Sequence, residues 1–290
     1  MTAVKSKVKR AVKKRKSGPR YRRFILNCVP SSLTDADWTY GDAVGAAFVD
    51  DKSSLPDKVD LREPWWPVRN QGNTGACVGF ATADGVLRWH YVKEKLIDKD
   101  QLVSPRFIWM ANKETDNFTA YPTSFLDSAG TSTKLGLKVA RKYGCVPEDM
   151  LPMKGALSRL APHTFFSISS QYRINAFYNL KPANSDRLDL DTLKSWLSAQ
   201  GPVLTRLDVD KAFHRATSTS GVLDRYDRAK ARGGHAVCFV GYTNDHFIIR
   251  NSWGDKWGDN GFAYASYGYV LDAFTEAYGA VLNRLKPVVP

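Results

Sequence analysis

Hydrophobic residues recur with helical spacing in three segments before residue 202. A proline-free run from about 77 to 96 has apolar side chains around most of a helix and predicts a buried central helix. A second helix is predicted from about 132 to 143, with a serine as N-cap and a glycine after its last residue. A third is predicted from 189 or 191 to 200, where Gly-Pro ends it.

The pattern changes after residue 202. Short segments rich in β-branched and aromatic residues alternate with turn formers, and they predict strands at 203–209, 235–242, 246–251 and 261–265. A chain that begins with helices and continues with strands is typical of the α+β class. The fold class predicted from the pattern is therefore α+β.

Charge is concentrated at the N terminus. Residues 1–23 carry eleven Lys or Arg and no acid, which leaves only two of the thirteen net positive charges for residues 24–290. Such a segment has no apolar face to bury, so we expect a disordered tail, or one that orders only against a partner. Its charge also leaves open a contact with a nucleotide or a longer polyanion such as RNA or DNA.

Residues 24–54 differ from this tail because they mix apolar and aromatic side chains with turn formers and acids. We expect them to form an arm that packs on the globular body. No apolar run approaches the length of a membrane span, and residues 24–26 are too short for the apolar region of a signal peptide. These features predict a soluble, monomeric chain without a membrane span or a Sec signal, cytoplasmic or exported without a leader.

Four polar residues stand in contexts suited to acyl transfer. Cys77 begins the predicted central helix, where free N–H groups favour a thiolate, and His235 is a candidate imidazolium partner and proton donor. Asn251, 16 residues later, can accept the imidazole N–H, and Trp253 can shield that hydrogen bond from water. Gln71, six residues before the cysteine, can donate its amide N–H to an oxyanion.

Singly, each residue has an ordinary structural explanation, such as a buried cysteine at a helix start or a core histidine. Jointly, their order, their spacing and the block N-S-W-G-D-K-W-G-D-N-G at 251–261 resemble the papain-like cysteine proteases over about residues 55–285. The resemblance implies a two-lobe fold with the active-site cleft between a mainly helical left lobe and a β-barrel-like right lobe. In the domain 55–290, the helical lobe would span about 65–165, and the β lobe about 166–290 plus 55–64.

The resemblance also implies a cysteine endopeptidase acting on peptide or protein substrates through a Cys77 thioacyl intermediate, with no metal or cofactor. The residues expected along the substrate path are Gly130, Arg206, Gly234 and Ala236. If Arg206 points into the second pocket, an acidic residue two positions before the scissile bond would be tolerated. The same residues would also serve an acyltransferase, and a polyanion-binding module remains a further alternative.

Two departures from the family pattern carry expectations. Thr74 stands where relatives carry the first cysteine of the segment around the nucleophile, and only four cysteines are present, so we expect a bacterial-type or intracellular member without a disulfide framework. Cys145 and Cys238 are interpreted as buried thiols, and Cys28 as free. The N-terminal region is shorter than the inhibitory propeptides of secreted relatives, and we hypothesise that the arm partly covers the cleft.

Overall fold

The computed structural model describes residues 24–50, 54–114, 130–154 and 162–282. The basic segment 1–23 lies outside the described residues. The α-helices in the described part are α1 Tyr40–Gly45, α2 Cys77–Gly79, α3 Arg88–Lys93, α4 Pro105–Glu114, α5 Thr133–Lys142, α6 Pro162–Ser170, α7 Leu190–Ala199, α8 Lys211–His214 and α9 Tyr267–Ala273. The strands are β1 Val59–Asp60, β2 Ile174–Asn179, β3 Val203–Asp208, β4 Val222–Leu223, β5 Gly234–Tyr242, β6 His246–Arg250, β7 Phe262–Ser266 and β8 Phe274–Leu282.

The predicted central helix is present and buried. It runs through α2, a π-helical segment Phe80–Leu87, and α3, and all residues of the first two segments are buried. It ends at Lys93 rather than at about residue 96, because Lys95 adopts a left-handed backbone with φ 59°. The π-helical segment was not predicted, since hydrophobic spacing reports which side chains are buried and not which carbonyl each N–H reaches.

The other two predicted helices are confirmed, and so is the serine N-cap predicted for the second of them. The side chain of Ser132 accepts from the backbone N–H of Leu135 at the start of α5, and that of Asp189 accepts from Thr192 at the start of α7. Gly144 follows α5 with φ 89°, and a Cβ there would lie 1.8 Å from a backbone oxygen. Only glycine fits that turn.

All strands join one sheet in the order β2-β8-β3-β5-β6-β7-β4, with β1 paired to β5. The neighbours are antiparallel except for the parallel pair β4 and β7. The four predicted strands correspond to β3, β5, β6 and β7, with ends shifted by about one residue. Helices α4, α6 and α9 and strands β2 and β8 were not predicted.

Two hydrophobic clusters form the core. One surrounds the central helix and includes Trp66, Leu87 and Tyr91, and the other lies between the sheet and α7 and includes Trp196 and Phe213. A buried ion pair ties the helix to the sheet, because Arg250 at the end of β6 lies 2.6 Å from Asp84. This contact fixes the end of β6 against the central helix, next to the candidate site.

No helix in the described residues is both long and apolar enough to cross a membrane.

Candidate active site

The central helix and β5 bring Cys77 and His235 together, and both side chains are fully buried. The pKa of the Cys77 thiol lies well below its usual range. The largest cause is a hydrogen bond from the thiol of Cys28; the hydrogen bond and charge of His235, and a hydrogen bond with the backbone of Ala236, act in the same direction and outweigh burial. The geometry therefore favours a thiolate at residue 77.

The side chain of Asn251 contacts the imidazole of His235. His235 Nε2 lies 2.8 Å from Asn251 Oδ1, which leaves Nδ1 as the nitrogen available to the thiol. Within the described residues Nδ1 has no hydrogen-bond partner, so this side of the ring is open to the thiol. The indole of Trp253 lies against the imidazole with ring centroids 4.7 Å apart, and both residues are buried. The indole thereby shields the imidazole–amide hydrogen bond from water.

The buried side-chain amide of Gln71 is hydrogen-bonded through both its nitrogen and its oxygen. Its Nε2 donates to the carbonyl of Thr74 at 2.8 Å, and its Oε1 accepts from the hydroxyl of Ser252 at 2.6 Å. An amide nitrogen carries two hydrogens, so one N–H remains for another acceptor. The backbone N–H of Ser252 also donates to Asn251 Oδ1 at 2.8 Å. Ser252 thus fixes two candidate residues at once, a role that its place in the 251–261 block could have suggested.

Three of the four residues expected along the substrate path lie against the arm, and the fourth, Ala236, is buried in β5. A Cβ at Gly130 would come within 2.3 Å of the carbonyl oxygen of Asn27, and one at Gly234 within 1.9 Å of that of Cys28. The Arg206 guanidinium donates to the same Cys28 carbonyl at 3.0 Å, and Ala236 is its partner across β3 and β5. The sequence did not predict which arm residues would meet these positions.

Arg206 does not offer an unpaired charge. Its Nη2 lies 2.9 Å from Asp208 Oδ1, and its Nη1 donates to the hydroxyl of Thr275 at 2.8 Å. The side chain is buried and does not turn to solvent. Whether it selects an acidic substrate residue stays a prediction.

The arm crosses between the helical and sheet sides of the site. The Cys28 N–H donates to the carbonyl of Gly234 on β5 at 3.1 Å, and the Val29 N–H donates to that of Thr131, just before α5, at 3.0 Å. Phe24 stacks on the indole of Trp253 with centroids 4.0 Å apart and planes 3° apart. The arm therefore contacts the residues on both sides of Cys77.

The next part of the arm is anchored by buried carboxylates. Glu276 of β8 accepts from the backbone N–H and the hydroxyl of Ser31, each at 2.7 Å, and from Thr133 at 2.6 Å. Lys134 lies 2.5 Å from Asp37, with both side chains largely buried. The sequence gave no signal for these contacts, because each joins residues about a hundred or more positions apart.

All four cysteines are free and buried. Cys145 and Cys238 lie in the core, as interpreted from the sequence, and burial raises the pKa of Cys145 to about 12 and raises that of Cys238 further. The pKa of Cys28 is also raised, chiefly by burial and then by its hydrogen bond to Cys77. Within the described part of the chain, no three His, Cys, Asp or Glu side chains cluster as metal ligands.

Comparisons with known proteins agree with this geometry. A cathepsin L-like proteinase of Fasciola hepatica is 23% identical over 228 residues, which cover 75% of this chain and 62% of the relative. An uncharacterised peptidase C1-like protein of Acanthamoeba polyphaga mimivirus is 28% identical over 221 residues, which cover 70% of this chain and 65% of the relative. The chain thus spans somewhat less than two thirds of the length of these two proteins.

The crystal structure of xylellain, a cysteine protease from Xylella fastidiosa, superposes with a TM-score of 0.71 at 23% identity, covering 92% of this chain and all of that chain. Procathepsin L 3 of Tenebrio molitor gives a TM-score of 0.60 at 22% identity, covering 81% of this chain and 73% of that one. At these identities the likeness bears on the fold alone, and it confirms the predicted papain-like α+β fold. The family model described as papain family cysteine protease matches residues 55–272. Because this match spans well over half of the chain, the protein belongs to the papain family of cysteine proteases.

Proposed function

We propose that the protein is a cysteine endopeptidase whose nucleophile is Cys77. The observation that carries the proposal is the buried Cys77–His235–Asn251 arrangement, in which the pKa of the thiol is depressed and the imidazole is oriented by a 2.8 Å hydrogen bond. A thiolate formed beside an imidazolium is the pair that nucleophilic attack on a peptide carbonyl requires. Asn251 keeps the ring turned so that Nδ1 faces the sulfur.

The reaction proceeds in two stages. The Cys77 thiolate attacks the carbonyl carbon, and the resulting oxyanion accepts from the backbone N–H of Cys77 and from the free N–H of Gln71 Nε2. His235 gives its proton to the leaving amine, and a thioacyl enzyme remains. His235 then takes a proton from water, whose hydroxide attacks the thioester and releases the acid and the thiol.

The arm is proposed as a regulatory segment. It occupies both backbone edges of the site, at Thr131 and at Gly234, and Phe24 covers Trp253. A substrate must form its own contacts with those edges, so the arm has to leave first. In this proposal residues 24–54 form the arm, the peptidase domain begins at about residue 55, and the residues that contact the arm are those a substrate would contact.

The test is hydrolysis of a fluorogenic dipeptide-amide panel by the full chain, by a variant lacking residues 1–54, and by Cys77→Ala in both. An epoxysuccinyl inhibitor titrates the nucleophile. We expect turnover that rises on deletion and is lost in Cys77→Ala, while Cys145→Ala, which removes a buried thiol elsewhere, keeps it. A Cys77→Ala protein that hydrolyses the panel as fast as the parent would contradict the proposal.

The deletion removes Ser31, a partner of Glu276, so a point variant complements it. Ser31→Ala deletes one hydroxyl of the arm, with its contacts to Glu276, Thr133 and Lys134, and leaves the body intact. We expect it to raise turnover by less than the deletion does. Equal turnover in the parent, the deletion and the point variant would contradict the regulatory role of the arm without bearing on the nucleophile.

A further inference from the structure

Two thiols meet in the site, and only one has a role in the proposed reaction. The thiols of Cys28, in the arm, and of Cys77 lie in one buried cluster, and each shifts the pKa of the other. The arm also lets the side-chain amide of Asn27 approach the same sulfur, with Oδ1 3.9 Å from Sγ. Residues 27 and 28 therefore both contact the candidate nucleophile.

The backbone at Cys28 is held from two sides. Its N–H donates to Gly234 and its carbonyl accepts from Arg206, at 3.1 and 3.0 Å. These bonds hold residue 28 beside β5, one position along the chain from the side chain that reaches Cys77 Sγ. The place of Cys28 next to the site is thus fixed by the hydrogen bonds of its backbone.

We infer that Cys28 and Cys77 form a reversible disulfide when the protein meets a peroxide, and that this bond locks the arm over the site. The inference rests on the proposed nucleophile. It adds a modification site and a redox control to the proposed function, because the locked sulfur can no longer attack a carbonyl.

The two thiols differ in the way such a reaction needs. Cys77 is the more acidic of the pair and supplies the thiolate, whereas the buried Cys28 keeps its proton. The Cys77 thiolate attacks one oxygen of hydrogen peroxide, the O–O bond breaks, and a sulfenic acid and hydroxide form. The Cys28 sulfur then attacks the sulfenic sulfur, the S–O bond breaks, and water leaves with the thiol proton.

In the net reaction two thiols are oxidised and one peroxide is reduced to two waters. A low-molecular-weight dithiol reverses it by thiol–disulfide exchange, becoming a cyclic disulfide itself. The other two thiols do not compete, since Cys145 and Cys238 hydrogen-bond to backbone carbonyls in the core and burial raises the pKa of each. The bond also spares Cys77 from irreversible oxidation.

The experiment uses the full chain, reduced, freed of reductant and treated with one equivalent of hydrogen peroxide. Remaining thiols are alkylated, and the digest is analysed by mass spectrometry without reduction. We expect a linked peptide pair containing Cys28 and Cys77, at the summed mass less two hydrogen atoms, that disappears after dithiothreitol. Cys145→Ala should give the same pair, and Cys28→Ala should give none.

A second readout is turnover of the fluorogenic panel before oxidation, after oxidation and after reduction. The parent should lose activity and recover most of it, whereas Cys28→Ser should lose activity that dithiothreitol does not restore, because its Cys77 continues to the sulfinic acid. Sulfinic Cys77 with alkylated Cys28 in the parent would overturn the inference. The linked pair in the full chain, with no turnover at any stage there or in the variant lacking residues 1–54, would leave the disulfide standing and refute the peptidase proposal instead.

Discussion

Two fully buried thiols lie along the central helix, and their pKa values are shifted in opposite directions. Cys77 is its first residue, and Cys238 of β5 packs against its π-helical segment, where a Cβ at Gly85 would lie 2.5 Å from the sulfur. The pKa of Cys77 is lowered, and that of Cys238 is raised by burial. Burial alone would rank the two as equals.

Their neighbours decide the difference. Cys77 receives a hydrogen bond from Cys28 and faces His235, whereas Cys238 donates to the carbonyl of Ala81 at 3.1 Å. A donor beside the sulfur stabilises the thiolate, while an acceptor stabilises the thiol. One end of the helix is therefore suited to chemistry, and the middle of the same helix to packing.

The largest expected effect is that of His235→Ala at the reactive end. Loss of the proton donor should lower kcat/KM by about 10²–10⁴-fold. A depressed pKa means that the thiolate persists as the pH falls below about 8.5, so removing the imidazole should shift the midpoint of Cys77 alkylation by iodoacetamide to higher pH. Stopped assays and alkylation rates across the pH range measure both effects.

His214→Ala is the matched control, because this imidazole stacks on Trp253 with centroids 5.4 Å apart and burial lowers its pKa to about 4. It should change kcat/KM only slightly. An alkylation midpoint that stays in place in His235→Ala would mean that the imidazole does not tune Cys77.

Next in size is the effect of Asp84→Asn in the π-helical middle of the central helix. The carboxylate of Asp84 lies 2.6 Å from the guanidinium of Arg250 and 3.7 Å from that of Arg88, and all three side chains are buried. Leaving these cations without an anion should lower the free energy of unfolding by about 3–5 kcal/mol. Denaturant unfolding measures it, and the alkylation midpoint of Cys77 should hardly move.

The control is Asp272→Asn, which breaks an exposed pair with Arg187 at 3.2 Å and should cost under about 1 kcal/mol. Equal losses in both variants would show that the buried pairs do not set the stability of this region.

A smaller effect is expected of Gly85→Ala, which forces a methyl group against the sulfur of Cys238 and should cost about 1–3 kcal/mol. Adding Cys238→Ala removes the sulfur and should restore part of the loss. The coupling in this double-mutant cycle is measured by denaturant unfolding. Gly45→Ala is the control, because a Cβ at residue 45 would meet nothing within 4 Å. If the losses of unfolding free energy caused by Gly85→Ala and Cys238→Ala simply add, the contact between residues 85 and 238 is contradicted.

The smallest effect is that of Ser252→Ala. It removes the hydroxyl that holds Gln71 Oε1 and keeps the backbone N–H that holds Asn251. We expect kcat/KM to fall by about fivefold, equivalent to ~1 kcal/mol, with the pKa of Cys77 unchanged. Ser218→Ala, which removes an exposed hydroxyl bonded to a carbonyl, should leave the rate as it is; a similar fall in both would exclude the positioning role.

The elements found by pattern were those with strong local signals. The central helix, α5, α7 and strands β3, β5, β6 and β7 all have apolar periodicity between turn formers or caps. Strand β8 was not predicted because Glu276 and Gly279 interrupt its run of apolar residues. The reasons are tertiary: the carboxylate anchors Ser31 and Thr133, and a Cβ at Gly279 would lie 2.0 Å from the ring of Trp196.

The sequence by itself determined the α+β class, the family and the candidates Cys77, His235, Asn251 and Gln71, because these depend on local spacing and on a motif that is contiguous in the chain. Only the tertiary structure decided that Cys28 meets Cys77 and that Arg206 holds the arm. The tertiary structure alone also decided that the equally buried thiols of Cys77 and Cys238 differ in acidity. A pKa depends on which donors and charges lie within a few ångströms, and those come from segments far apart in sequence.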